Sequence, residues 1–595
     1  MAISNSLAGR FWPWLLLAVF GGLIIVRMQL VRRVIGGYVD CVDCFDQAVI
    51  SSDMWLLAAI ALLLLAASFI SRHRARVLVQ ILISLVLVLY LADLLIFKLF
   101  GIRLFFVDLQ IYGLEPAIVW EQASEFLGGP LLAAAVVIAA LVALLLISWL
   151  PVRLSGRHRG LLVFCIAAAL AAAALPAKPE YVNRWAYQNF LQANLITTES
   201  TPYSEEYANR QLQHYAESFP THCIQGRQEQ RNVILLILES WSMYHSRFFS
   251  GINDWTPELD KIAGQHAHFN NFYAGGFSTS EGLVYLLGGV RLWAPFHHLF
   301  EAASFDYAWN IDNSIARVFN QAGYHTAFLT TGPLSFVNKG QWLENLGFSE
   351  VEGNEHPFYR DFKKVSFHAA ADQALYTRAL DWIGQTREPY LLTLETVSTH
   401  QPYVDPDSGD KSLEKAIRYM DREAGVFYRA LLESGYFDNG ILLLVSDHRS
   451  MNPVTTTEQQ LYGQHARSKV PMVLVDLQQP QPAPVTQLLH QADLRPSFEQ
   501  WLNAEVCLEG LENSIFDPRQ KPGQCALHAV GAVRGVVDVL CPGASGQVRL
   551  DGDDTQFING QLQGPLQKKI LAAIAAERLA GLRRHQQHSK EQNLD

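Results

Sequence analysis

Basic residues are in short supply. Lys and Arg number 46 against 56 Asp and Glu, leaving a net charge of −10 over 595 residues. No stretch interleaves basic and aromatic side chains, which excludes a nucleic-acid partner. No segment repeats at a fixed period and no low-complexity tract occurs, so a solenoid is excluded as well. The first apolar run has no Ala-x-Ala cleavage site and further apolar runs follow it, so it reads as a retained helix and not as a signal peptide. Cysteine is sparse, at seven residues. Cys41-Val-Asp-Cys44 has no thioredoxin-like strand and helix around it, which makes it a short structural disulfide before a redox or metal pair.

What the first third has is length of apolar sequence. A membrane span needs about 20 apolar residues. Five runs are candidates: Phe11–Val31, Met54–Ile70, Val77–Phe97, Pro130–Leu150 and Leu161–Leu175, the last short and Ala-rich. Short basic loops, Ser71-Arg-His-Arg-Ala-Arg76 and Pro151-Val-Arg-Leu-Ser-Gly-Arg-His-Arg-Gly160, join the second to the third and the fourth to the fifth. Basic loops stay in the cytoplasm, so the chain after about Pro176 is expected outside, although Arg32 and Arg33 then also fall on the outer side. Cys165 lies in the fifth run, and the six other cysteines would share the oxidising side. Asp93, inside the third run, is either a lipid-headgroup or relay residue or a residue packed between helices.

The expected organisation is a membrane domain of five helices over residues 1–177, a polar connector over 178–230, a catalytic domain over 231–505, and a small β-rich element with a terminal helix over 506–595. From Arg231 apolar strands alternate with amphipathic helices. Strands are predicted at Asn232–Leu238, Thr326–Thr330, Tyr390–Glu395, Ile441–Ser446 and Val470–Val475, and helices at Thr279–Leu287, Ser314–Ala322, Ala369–Ile383 and Leu413–Ser434. Continuous apolar strands between helices mean an α/β fold with a mainly parallel sheet covered on both faces. Lys568–Arg584 reads as a solvated terminal helix with a basic end.

Open α/β sheets gather their sites at the carboxyl ends of strands. Glu239 follows the run Val-Ile-Leu-Leu-Ile-Leu, and Asp447-His448 ends Ile441–Ser446. Together they supply the O, O and N ligands that zinc or manganese accepts. Thr279 sits in Gly275-Gly-Phe-Ser-Thr-Ser-Glu281, ahead of a helical run. Thr there fits a helix N-cap and equally a metal-activated nucleophile beside amides that hold a phosphate oxygen. Ser278 and Ser280 compete for that role. His400, in Glu395-Thr-Val-Ser-Thr-His-Gln-Pro402, and His465, before Lys469-Val-Pro-Met-Val-Leu474, are substrate contacts or structural loop residues.

These segments resemble the membrane-bound phospho-transferases of the alkaline phosphatase/sulfatase superfamily, among them lipoteichoic acid synthase, phosphoethanolamine transferases and periplasmic-glucan phosphoglycerol transferases. The resemblance is carried by Asn232-Val-Ile-Leu-Leu-Ile-Leu-Glu-Ser-Trp241, Trp255-Thr-Pro-Glu-Leu-Asp-Lys-Ile-Ala263, Phe277–Gly282, Ala322-Gly-Tyr-His-Thr326 and Val445-Ser-Asp-His448. It implies a sulfatase/alkaline phosphatase-like domain and one divalent ion, Mn or Zn with Mg as an option, held by Glu239, Thr279, Asp447 and His448. Thr279 would take a group from a phospholipid donor through a phospho-threonine and pass it to a glycan or glycolipid acceptor. His400 would contact substrate, with Trp342 lining the pocket; His465 stays a candidate substrate contact from the residues alone. The place implied is a bacterial inner membrane, with the catalytic domain on the periplasmic side.

Arg449 departs from the pattern, standing where many relatives have Gly, and Ser446-Asp-His-Arg-Ser-Met-Asn452 resembles the Ser-Asp-His-x-x-Met-Asn run of the glucan phosphoglycerol transferases, which favours a phosphoglycerol group. No Cys occupies the nucleophile position, so a formylglycine sulfatase of the common type is not implied. Two alternatives remain: a phosphoethanolamine transferase acting on lipid A or a glycan, and a non-catalytic lipid-binding membrane regulator.

Overall fold

The computed structural model describes residues 2–592 apart from 36–41, 101–102, most of 107–151, 153, 176–186, 196–202, 292–303, 479–483, 518–523 and 531–532. The chain divides into two units, built mainly from Met1–Gly113 with Ala123–Thr198 and from Glu199–Met451 with Thr457–Asp595.

Helices Ala2–Ile35, Val42–Ala67, His73–Phe100 and Gly156–Ala173 make the first unit. All four are long and apolar enough to cross a membrane, and the helix is the form that satisfies every backbone group in lipid. They correspond to the first, second, third and fifth expected runs. The fourth, Pro130–Leu150, falls mostly outside the described residues. The second helix begins at Val42, well before the expected Met54, and its Cys44 is disulfide-bonded.

Charges inside this unit are paired. Arg27 donates to Asp53 at 2.8 Å and the Tyr90 hydroxyl to the same carboxylate at 3.0 Å. Arg103 Nε donates to Asp93 at 2.9 Å. Asp93 is thus packed between helices with a cationic partner, as the cost of a lone buried charge requires. The same two arginines reach the chain that leaves the bundle: Arg27 donates to the carbonyls of Tyr187 and Gln188, and Arg103 to that of Gln188. Asn189 adds a bond to the Ser52 carbonyl at 2.7 Å. The first stretch of the expected connector is therefore bonded into the membrane unit.

In the second unit an eight-stranded sheet runs in the order Pro484–Val485, Ala267–Phe269, Met472–Val475, Gly440–Ser446, Asn232–Leu238, Tyr390–Glu395, His325–Thr330, Glu350–Glu352. Asn232–Leu238 lies parallel to both its neighbours and is buried throughout. Successive strand side chains point to opposite faces. Val233, Leu235 and Ile237 accordingly feed one core with helices Thr279–Gly288 and Leu494–Leu502, while Ile234, Leu236 and Leu238 feed another with Asp372–Gln385 and Leu413–Glu433. Two-faced burial is why the sequence shows an unbroken apolar run. The five predicted strands are present. Met472–Val475, however, runs antiparallel to its neighbours, and three edge strands of two or three residues were not predicted because so short a run carries no period.

Beyond the sheet, Ala526–Val530, Val533–Cys541, Ala544–Arg549 and Gln556–Gly560 form an antiparallel four-stranded sheet followed by the helix Pro565–Gln592. Cys525 bonds Cys541. Cys223 bonds Cys507 across the antiparallel pair His222–Gln225 and Glu505–Leu508, just outside both ends of the expected catalytic domain. This bridge spans 284 residues of sequence, and cross-links closing long loops constrain the unfolded chain most. Replacing Cys507 by Ser should lower the unfolding free energy of the second unit by about 2–4 kcal/mol. An unchanged denaturant midpoint would show the bridge to be energetically idle.

Candidate active site

Strand register places the two carboxylates. Leu238 pairs with Ser446 at the end of the parallel ladder, so the next residues, Glu239 and Asp447, emerge side by side. Ser240 turns the chain there with φ 60°, a left-handed conformation uncommon for a residue with a side chain and typical of functional turns. Its amide donates to Asp447 Oδ1 and its hydroxyl to Glu239 Oε1, both at 2.8 Å. Thr399 Oγ1 donates to the Glu239 carbonyl at 2.5 Å and Thr396 Oγ1 accepts from the Glu239 amide at 2.9 Å.

His448 completes the group. Its Nε2 lies 3.4 Å from Glu239 Oε1 and 3.3 Å from Asp447 Oδ2. Nδ1 faces the Arg449 carbonyl at 2.9 Å; a carbonyl only accepts, so Nδ1 carries a hydrogen and Nε2 is the atom turned to the carboxylates. The ligating atoms of Glu239, Asp447 and His448 lie within 4.8 Å of one another, and all three residues are buried. Asp447 Oδ2 makes no hydrogen bond of normal geometry, although His448 Nε2 lies 3.3 Å away. A buried carboxylate oxygen of this kind, beside a second carboxylate and an imidazole nitrogen, is the environment a divalent cation satisfies.

The three candidate hydroxyls separate by position. Ser278 has the extended backbone of an N-cap and its hydroxyl has no partner. Ser280 is buried in the helix that starts at Thr279. Thr279 is the one that faces the group: Oγ1 donates to Glu239 Oε2 at 2.9 Å and lies 3.3 Å from His448 Nε2. Two residues missed by sequence reasoning hold this approach. Gly282 lies so close to the ligand turn that an added Cβ would sit 2.3 Å from the Asp447 carbonyl oxygen. Gln491 donates to the carbonyls of Ser446 and Asp447 at 2.8 and 2.6 Å and accepts from the Gly275 amide at 3.0 Å, tying the Thr279 loop to the Asp447 turn. The glycine was visible as part of Phe277–Gly282, but a lone Gln carries no signal.

The charges balance locally. Burial, with the Glu239 charge beside it, pushes the Asp447 carboxyl well above the usual carboxylate range. Burial would raise Glu239 as well, but the His448 charge and hydrogen bond hold it far below. Burial opposes a charged His448, yet Asp447 and Glu239 outweigh it and push the imidazole up to about 10.

His400 is within electrostatic reach of Glu239: burial lowers its pKa against the pull of that carboxylate, and its Nδ1 donates to the Gln401 carbonyl at 2.8 Å. Its ring meets Phe367 edge-on at 4.5 Å. Lys339, also missed, is buried against Glu395 at 2.6 Å and is near enough to lower His400 further. Trp342 does not line the site, contrary to expectation. It is wholly buried in the core, with Nε1 donating to the Ala308 carbonyl at 2.9 Å and its ring stacked on Phe305; a side chain with no accessible surface cannot touch a substrate. His465 neighbours Tyr273 and Gln464, and burial with Lys469 nearby pushes it down to about 4.

Gly282→Ala sets a methyl against backbone that cannot swing aside. We expect it to displace Thr279, with a loss of about 1–3 kcal/mol in stability as in other overpacked cores and a collapse of turnover while the circular dichroism stays native. An active Ala variant would refute the close approach.

A family model described as Sulfatase matches residues 231–504. Lipoteichoic acid synthase 1 of Bacillus subtilis is 24% identical over 294 residues, 45% of this chain and 44% of that protein. Phosphoglycerol transferase I of Escherichia fergusonii is 24% identical over 220 residues, 33% of this chain and 28% of that protein. The chain thus spans less than half the length of these relatives. Among solved structures, a protein in the alkaline phosphatase superfamily from Vibrio parahaemolyticus superposes with a TM-score of 0.51 at 18% identity, over 64% of this chain and 96% of that one. Residues 231–504 form a sulfatase-like α/β domain, with the fold of that solved structure.

Proposed function

We propose that this membrane protein is a metal-dependent transferase that moves a phosphoglycerol group from a phospholipid to a glycan or glycolipid outside the cytoplasm, with Thr279 as nucleophile. The observation that carries the reading is the Thr279 hydroxyl, 2.9 Å from Glu239 Oε2 inside the buried carboxylate–imidazole group. A divalent ion held by Glu239, Asp447, His448 and the Thr279 oxygen, manganese, zinc or magnesium, would lower the pKa of the hydroxyl and neutralise charge on the phosphoryl oxygens.

The chain's own residues do the rest. Glu239 accepts the Thr279 hydrogen bond and so aims Oγ1 at phosphorus. Attack forms the Thr279 O–P bond and breaks the P–O bond to diacylglycerol, which leaves with a proton. An acceptor hydroxyl then attacks the phospho-threonine and restores Thr279. His400, kept neutral by burial and with Nδ1 engaged by Gln401, offers Nε2 as the acceptor of that hydroxyl's proton.

The donor follows from the compartment. The disulfides Cys223–Cys507 and Cys525–Cys541 support an oxidising surrounding, as do the short basic loops, whose charge favours the cytoplasmic side. Outside a bacterial inner membrane no ATP is available, and a phospholipid headgroup is the activated phosphodiester at hand. The names of the relatives favour phosphoglycerol over phosphoethanolamine, and an assembled group of four reactive residues argues against a silent lipid-binding regulator.

Mass spectrometry of glycan and lipid fractions with and without the protein should show a gain of glycerol phosphate; a gain of phosphoethanolamine would select the alternative enzyme, and no gain the regulator. Thr279→Ala should cut turnover at least about a thousandfold, in keeping with the loss of a nucleophile, and keep its metal. Full activity would move the role to Ser278 or Ser280. Because His448 holds a proton up to about 10, a cation must displace it. Affinity for Mn²⁺ should therefore rise with pH between about 6 and about 9, by about tenfold per unit for one proton released. A flat profile by calorimetry would count against these ligands.

A further inference from the structure

Arg449, directly after the ligand pair Asp447-His448, is only 5% exposed. Its Nε and Nη2 donate to Glu458 Oε1 and Oε2 at 2.9 and 2.8 Å, and its Nη1 to the Ser450 carbonyl at 2.5 Å. The guanidinium carbon lies 5.0 Å from the centre of the Tyr244 ring. Tyr244 belongs to the turn that follows Glu239, so the side chain spans the two turns that carry the ligands.

Other bonds close that frame. Ser450 donates its amide to Ser242 Oγ at 2.8 Å, and Ser242 Oγ donates to the Ser240 carbonyl at 2.9 Å. The Ser242 amide donates to His245 Nδ1 at 3.2 Å, and the His245 ring packs 4.2 Å from that of Tyr244. Within the frame, the Arg449 carbonyl accepts the His448 Nδ1 hydrogen at 2.9 Å. The direction of that one carbonyl sets the tautomer and the plane of the imidazole, and so where Nε2 points.

Stability alone is a poor reason for the arrangement. A buried, forked ion pair loses hydration on both sides, and replacing such pairs by apolar residues is often neutral or stabilising. What an apolar pair could not do is hold the backbone at one angle through three donors on a planar group.

We infer that Arg449 and Glu458 are positioning residues for His448: their pairing fixes the Arg449 carbonyl, which fixes the imidazole, which sets the affinity of the site for its divalent ion. The inference rests on the metal-site reading above. Partners that orient ligating groups typically change metal affinity about 10–100-fold when altered.

The test uses the full chain purified in detergent, with Mn²⁺ alone as the probe in isothermal titration, and thermal unfolding of the metal-free protein alongside. Glu458→Gln keeps the shape and removes the charge; Arg449→Lys keeps the charge and removes the fork, and serves if the first variant does not fold. Each should weaken Mn²⁺ binding by about 10–100-fold at unchanged stoichiometry. The double variant should be little worse than either single one, because both act through one bond network. Variants with parental affinity but a lower metal-free unfolding midpoint would reduce the pair to a structural brace and overturn the inference. A parent chain that takes up no ion would overturn the metal site itself, whereas a parent that binds and variants that match it would overturn only the role given to the pair.

Discussion

Two buried carboxylates forced side by side are the constraint around which this domain is arranged. The parallel pairing of Asn232–Leu238 with Gly440–Ser446 leaves Glu239 and Asp447 adjacent at the end of the ladder, both buried. Like charges at such range repel strongly in a low dielectric. The domain answers with an imidazole between them, with the Ser240 amide and hydroxyl, and with a left-handed turn that aims both at the carboxylates. Two buried carboxylates facing an imidazole nitrogen are the setting that a divalent cation satisfies.

The helix bearing the hydroxyl is located by contact, not by attraction. Gly282 lets its backbone rest on the Asp447 turn, and Gln491 bridges the two from behind. Thr279 consequently reaches Glu239 from the opening residue of a helix, where free backbone amides favour an incoming anion. Geometry of this kind favours a charge that develops during reaction over one already present in the ground state.

Much of this was legible in the residues. Runs such as Val233–Leu238 are apolar at every position because both faces of the strand are covered, and that alone located the carboxyl ends where Glu239 and Asp447 stand. Which of three consecutive hydroxyls faces the site was not legible, since it depends on the residue at which the helix begins. Trp342 was misread for a related reason: a large aromatic close to a site in sequence serves a pocket or a core equally well, and here the Ala308 carbonyl draws its indole inward. Gln491, Lys339 and the Glu458 partner of Arg449 act through long-range pairings that leave no local pattern. The strands of two and three residues at the sheet edges are set by their neighbours and not by their own composition.

The bridge between Cys223 and Cys507 has a consequence for how the molecule is made. Synthesis runs from the amino end, so the first of these cysteines appears 284 residues ahead of its partner. Throughout that interval it waits as a thiol in whatever compartment receives it, while the whole domain emerges behind it. Cys525 and Cys541 arrive later still, only after the proper partner has come within reach. The order of emergence thus favours the native pairing over exchange with the later pair. It also leaves the bridge unmade until every strand of the eight-stranded sheet has been synthesised, so the sheet has to assemble, or wait, without that cross-link.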